Sequence, residues 1–97
     1  MNIVAQLCVQ GFTSDKVKED IPSLLEEFRG RDVFLETRAS WNAEERKIYI
    51  QVVVEGKNTT DAKEMIYDEV FDAVIASIRA LDSIELNIDS CKVVGPE

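Results

Sequence analysis

Histidine is missing altogether from this chain of 97 residues. That removes the commonest general base, the usual activator of a serine or cysteine nucleophile, and the commonest metal ligand. An enzyme would have to work with carboxylates, lysine or tyrosine alone, and we expect neither a cofactor nor a metal. Cysteine is nearly as scarce: Cys8 and Cys91 are the only two, far from any Cys-x-x-Cys spacing. Long apolar runs are also lacking. Nothing approaches the ~18 consecutive apolar residues of a membrane span. The opening Asn2-Ile3-Val4-Ala5-Gln6 has no charged start leading into an apolar stretch, as a secretion signal would. The expectation is a cytoplasmic protein with no membrane partner.

Positive charge is in short supply. Eleven basic residues stand against nineteen acidic ones, for a formal charge of −8. A surface that negative repels phosphates, which argues against nucleic acid as a partner. The shortage is uneven: Arg29, Arg31, Arg38, Arg46 and Lys47 cluster in one stretch, while Asp68, Glu69 and Asp72 crowd another. Such polarity is a solvated surface or an attraction toward a second copy or an oppositely charged protein.

What is present is periodicity. Asn58 to Asp82 is the longest helical pattern, opening on the capping cluster Asn58-Thr59-Thr60-Asp61. Met65, Ile66, Val70, Ala73, Val74, Ile78 and Leu81 follow at helical spacing. Before it, Ile3, Ala5, Leu7 and Val9 alternate as one face of a strand, and Gly11 ends that strand. Thr13-Ser14-Asp15 then caps a helix with Val17, Ile21, Leu24, Leu25 and Phe28 on its apolar face, closed by Gly30. Pro22 falls inside that pattern and either kinks one helix or separates two.

Two further alternations, Val33 to Trp41 and Ile48 to Val54, flank Asn42-Ala43-Glu44-Glu45, which reads as a hairpin turn. Placing Trp41 opposite Arg46 sets Ala39 on Ile48, Thr37 on Ile50, Leu35 on Val52 and Val33 on Val54 on the buried side. Phe34 and Val53, and Arg38 and Tyr49, then meet on the other side. A last strand carries Ile84, Leu86 and Ile88 and runs to about Val94, before a frayed end.

The order strand, helix, strand, strand, helix, strand predicts a single α+β domain. It would be a ferredoxin-like βαββαβ two-layer sandwich, with a four-stranded antiparallel sheet in the order 4-1-3-2 and both helices on one face. This topology resembles that of ACT-type regulatory domains, dimeric α+β barrel proteins and many RNA-binding domains. ACT domains usually carry an acidic residue and a Pro-Gly pair after the first strand, where this chain has Gln10-Gly11-Phe12-Thr13. Of the aromatic-rich third strand of the RNA binders, only Tyr49 is present.

Few residues are candidates for a site. In the predicted sheet Cys8 lies near Asn87 and Cys91 near Val4, ~13 Å apart on the same face, too far for a disulfide. Gly56-Lys57-Asn58-Thr59 has Gln51 where a phosphate loop needs glycine. A small anion at Lys57 and Thr60, on the amides that open the long helix, is the residual form of that reading. Glu85, Asn87 and Asp89 stand ~7 Å apart along a strand, too wide for one ion.

Two apolar surfaces remain as interface candidates. Tyr67, Phe71 and Ile75 recur every fourth residue beside the main stripe of the long helix, and either pack on the first helix or form an exposed patch. The open sheet face would carry Phe34, Tyr49 and Val53, with Val4 and Cys8, among polar neighbours. The reading that follows is a small non-catalytic interaction module, a homodimer or a subunit bound to another protein. The alternatives are a small-ligand sensor, with its ligand near Gly11 or between paired sheets, and a cofactor-free carboxylate enzyme.

Overall fold

In the computed structural model, residues 1–12, 14–78 and 84–94 are described. Strand β1 (Asn2–Gln10) is followed by a 3₁₀ turn (Asp15–Asp20), helix α1 (Ile21–Arg29), strands β2 (Phe34–Asn42) and β3 (Lys47–Glu55), helix α2 (Thr59–Ser77) and strand β4 (Glu85–Val94). The strands form one antiparallel sheet in the order β2-β3-β1-β4, which is the predicted order read from the other edge. The fold is ferredoxin-like, as expected.

Alternation decides which face is buried. Ile3, Ala5, Leu7 and Val9 of β1 and Ile48, Ile50, Val52 and Val54 of β3 are closed to solvent and meet Leu24 and Phe28 of α1. Ala62, Ile66, Val70, Ala73 and Val74 of α2 complete the same core. These inward rows hold the sheet to its register: a slip by one residue would expose the whole set. Removing Leu7 down to alanine would cost about 2–5 kcal/mol in so closed a core.

Local chemistry explains the helix ends. Pro22 separates two helical segments: Ser14 caps the 3₁₀ turn through Lys16 N–H, and Pro22 lies in the first turn of α1. There its missing N–H removes no helical bond, so the ~3 kcal/mol penalty of an internal proline does not arise. Asn58 caps α2 by accepting the Asp61 N–H at 2.8 Å while its own amide donates to Asp61 Oδ2 at 3.1 Å. The helix stops at Ser77, because Ile78 turns extended (φ −93°, ψ 123°) while its N–H still reaches the Val74 carbonyl. The predicted continuation through Leu81 and Asp82 and the frayed segment 95–97 lie outside the described residues. Val94 itself belongs to β4.

Three sequence expectations are corrected by the sheet. The hairpin turn is Ala43 to Arg46 rather than Asn42 to Glu45, with Arg46 in left-handed backbone at φ 54°. Trp41 therefore pairs with Ile48, Ala39 with Ile50 and Thr37 with Val52, two residues from the expected register. A shift of two keeps every side chain on its face.

The second correction comes from a bulge at Leu35, since Phe34 pairs with Val54 and Glu36 with Val53. The extra residue turns Phe34 inward, where its ring meets Phe28 edge-on at 5.1 Å. Val33 and Leu35, expected inside, are 37% and 56% exposed. The third is a bulge at Asp89 in β4, between the pairs Gln6–Ser90 and Leu7–Ile88. It sets Cys91 opposite Ala5 on the helix side, while Cys8 stays opposite Asn87 on the open side. The thiols are on different faces and both are free.

Candidate functional site

The helices cover one face of the sheet and leave the other open. Because strand neighbours are fixed, the open face is a grid of rows running across the sheet from β2 to β4. One row is Ser40, Tyr49, Cys8 and Asn87; the next is Arg38, Gln51, Gln6 and Ser90; the next is Glu36, Val53, Val4 and Lys92. Beyond these, Glu55 and Val94 flank Asn2. The middle columns are apolar or amide, and the charges stand on the outer strands and at the ends.

The grid's own bonds are local. Gln6 donates its amide to Gln51 Oε1 at 2.7 Å, and Gln10 donates to Glu85 Oε2 at 3.1 Å. Arg38 faces Glu36 along β2 at 3.5 Å, with both side chains more than half exposed. Tyr49 donates its hydroxyl to Glu45 Oε1 at 2.6 Å, and Asn42 holds the same carboxylate by its amide at 3.1 Å. That bond to a carboxylate favours the neutral phenol, and the Tyr49 pKa is pushed up to about 12. Cys8 is 5% exposed, and burial, then the nearby Asp89 carboxylate, push its thiol pKa up. Both effects keep the sulfur protonated and a poor nucleophile.

Acids outnumber bases by two on this face. Glu36, Glu45, Glu55, Glu85 and Asp89 stand against Arg38, Lys47 and Lys92, in a chain whose formal charge is −8. The remaining acidity lies elsewhere on the molecule. A shallow depression lined by Gln6, Arg38, Ser40, Tyr49 and Gln51 lies in the middle of the grid.

The predicted surface residues divide as follows. Tyr49 and Val53 are half-buried neighbours of this face, whereas Phe34 belongs to the core side. Tyr67, Phe71 and Ile75 do not pack on α1. Glu69 points that way and takes Arg31 at 2.9 Å, with Glu27 of α1 on the same guanidinium at 3.2 Å. The stripe runs along the other flank of α2, toward β4, where Lys63 one turn earlier is close enough to act on the Cys91 thiol. Tyr67 and Phe71 stack at 6.0 Å; Phe71 is tucked against the core, while Tyr67 and Ile75 stay 39% and 49% exposed. Lys57 and Thr60 are exposed beside the cap of α2. No cluster of metal-ligating side chains occurs among the described residues.

Sequence reading put Leu35 on the buried side and Asp89 in one line with Glu85 and Asn87, and it passed over Lys92 and the contact of Phe12 with Trp41. Leu35, Asp89 and Lys92 owe their places to bulges or to the end of an edge strand, which alternation does not signal. Phe12, just past β1, meets Trp41 edge-on at 5.8 Å. The Trp41 Nε1–H is buried and has no hydrogen-bond partner among the described residues.

No family model matches the chain, and no curated protein matches it. Solved structures do. A protein of Chloroflexus aurantiacus J-10-fl, provisionally described as an antibiotic biosynthesis monooxygenase, aligns over 98% of this chain and 97% of its own at 17% identity and a TM-score of 0.51. The structural-genomics protein YJCS aligns over 90% of this chain and 97% of its own at 15% identity and a TM-score of 0.53. At such identities the likeness is one of fold. The fold is shared nearly end to end. No helix is long and apolar enough to cross a membrane among the described residues.

Proposed function

We propose that this chain is a non-catalytic association module whose working form is a homodimer joined through the open sheet face. The observation that carries the reading is the contrast between that face and the rest of the molecule. It carries an excess of only two acids and has an apolar and amide centre with charges at its margins, in a chain of net charge −8. Interfaces put their charges at the rim and exclude them from the centre. A surface meant only for solvent has no reason to shed its excess charge on one face alone. Catalysis has little to work with there: the Tyr49 phenol and the Cys8 thiol are both held in their neutral forms.

The test is the mass of the untagged protein by native mass spectrometry, with Val53→Glu and Tyr49→Glu beside it. A dimer in the parent and folded monomers in both variants are expected. A monomeric parent, or variants that dimerise as before, would reject the open face.

A second reading rests on the unpartnered Trp41 indole N–H beside Phe12 and the Gly11 loop. A buried donor without an acceptor is costly and suits a small ligand with a carbonyl or carboxylate. The Chloroflexus aurantiacus protein's description, a monooxygenase, is consistent with a small-molecule pocket in this fold. Trp41 is the only tryptophan, so its fluorescence reports directly. A screen of small carboxylates and amides that shifts neither the emission nor the melting temperature would remove this reading.

A further inference from the structure

Given association through the open face, we propose that the twofold axis runs parallel to the strands, laying β2 of each copy over β4 of the other. This rests on the homodimer reading above and names its geometry. A homodimer with a closed interface presents the same patch twice, so the face must be complementary to itself under the symmetry operation. For two sheets packed face to face, the axis lies between them, along the strands or across them. Each choice gives a definite set of neighbours.

An axis along the strands preserves the rows and exchanges the columns. β3 then faces the partner's β1, and β2 faces the partner's β4. In the middle, Val53 meets Val4 and Gln51 meets Gln6, like against like. At the margin, Glu36 meets Lys92, since both belong to the row of Val53 and Val4. Arg38 meets Ser90 and the Asp89 carboxylate bulged out next to it. Acid meets base and base meets acid along both margins.

An axis across the strands inverts the rows instead, so that β2 faces β2. Glu36 then meets Ser40 and Lys92 meets Asn87. Glu55 finds Lys47, but the central row falls on itself and sets Arg38 against its own copy, and neither Glu36 nor Lys92 meets an opposite charge. The twist of packed sheets rotates one against the other by ~30°. At the outer strands, ~7 Å from the axis, that moves a residue by about 4 Å, less than the ~7 Å between rows on one face. Side chains as long as Glu, Lys and Arg span the difference.

The experiment reverses one charge at a time. Glu36→Lys places lysine over the partner's Lys92 at both ends of the interface, and Lys92→Glu places glutamate over Glu36. Each alone is expected to raise the dimer dissociation constant about tenfold or more, as like charges brought together do. Mixed in equal amounts, the two variants should form a heterodimer preferentially, because both crossed contacts are then attractive. The doubly reversed chain should dimerise again by itself.

Native mass spectrometry and sedimentation read all four samples, and circular dichroism confirms that these exposed positions leave the fold intact. If both reversals dimerise like the parent, or the mixture shows no preference for the heterodimer, the axis assignment is wrong. It is wrong in that way only if Val53→Glu still yields a monomer. A dimer that survives Val53→Glu, or a monomeric parent, overturns the open-face reading and this geometry together.

Discussion

At the scale of single residues, the best-defined polar contact is the short bond from the Tyr49 hydroxyl to Glu45, steadied by Asn42 on the same oxygen. Replacing Glu45 with glutamine removes the charge that holds the phenol neutral. The Tyr49 transition should then fall from about 12 toward the ordinary value of 10.0, read by phenolate absorbance during a pH titration. A raised pKa in the folded state means the bond contributes fully below the unfolded value of 10.0 and is lost as pH climbs through about 12. Glu45→Gln should therefore flatten the fall in stability over that alkaline window. An unchanged Tyr49 titration would show that the bond does not persist in solution. Arg31 illustrates the opposite balance of effects. Its guanidinium, only 23% exposed, ties Glu27 to Glu69 and so fixes α1 against α2, whereas the Arg29–Glu26 pair, above 70% exposed on both sides, adds almost nothing.

At the scale of elements, capping and proline placement separate local from tertiary stability. Asn58→Ala removes both bonds to Asp61 and should cost about 1 kcal/mol in denaturant unfolding. Pro22→Ala should change stability by less than about 1 kcal/mol, because a first-turn proline blocks no helical bond and acts mainly on the unfolded chain. A loss near 3 kcal/mol would mean that Pro22 supports more than the start of α1.

Strand alternation and helical spacing were enough to place the elements and to assign the inward faces of β1, β3 and α2. Turn chemistry was not legible to the same depth. Four-residue turns one position apart shift the pairing by two and so keep the same facing, and only the left-handed Arg46 distinguishes them. Bulges were not legible at all. Leu35 and Asp89 each insert one residue without a compositional mark, and each reverses the facing of what lies beyond it. That is why Phe34 was assigned to the open face and Cys91 to the same face as Cys8. The flank of α2 that carries Tyr67 could not be told from sequence either, since two neighbours compete for one helix and only the Arg31–Glu69 pair shows which side α1 takes.

At the scale of the whole molecule, a dimer ties stability to concentration. Mass action makes the melting temperature of an associating chain rise with protein concentration, by an amount set by the dissociation constant. The parent protein should show that rise and Val53→Glu should not. A melting temperature independent of concentration in the parent would leave the fold as described and the working form a monomer. The charge distribution matters at this scale too. Most of the −8 lies away from the open sheet face, so copies approaching in any other orientation repel one another.

The two bulges have a consequence beyond the facing of side chains. β2 and β4 are the outer strands, each with one flank of backbone N–H and C=O groups unpaired within the sheet. An uninterrupted outer ladder invites a foreign strand to add on and growth to continue. Leu35 and Asp89 break the repeat on both borders, and Glu36, Arg38 and Lys92 stand close by in exposed positions. A docked strand would lose its hydrogen-bond spacing after a few residues and meet charge besides. Deleting Leu35 or Asp89 would restore perfect alternation with the inward set unchanged, since in each case the residue removed is the supernumerary one. Such a shortened chain would keep its core and lose the interruption that guards that border against fibrillar growth.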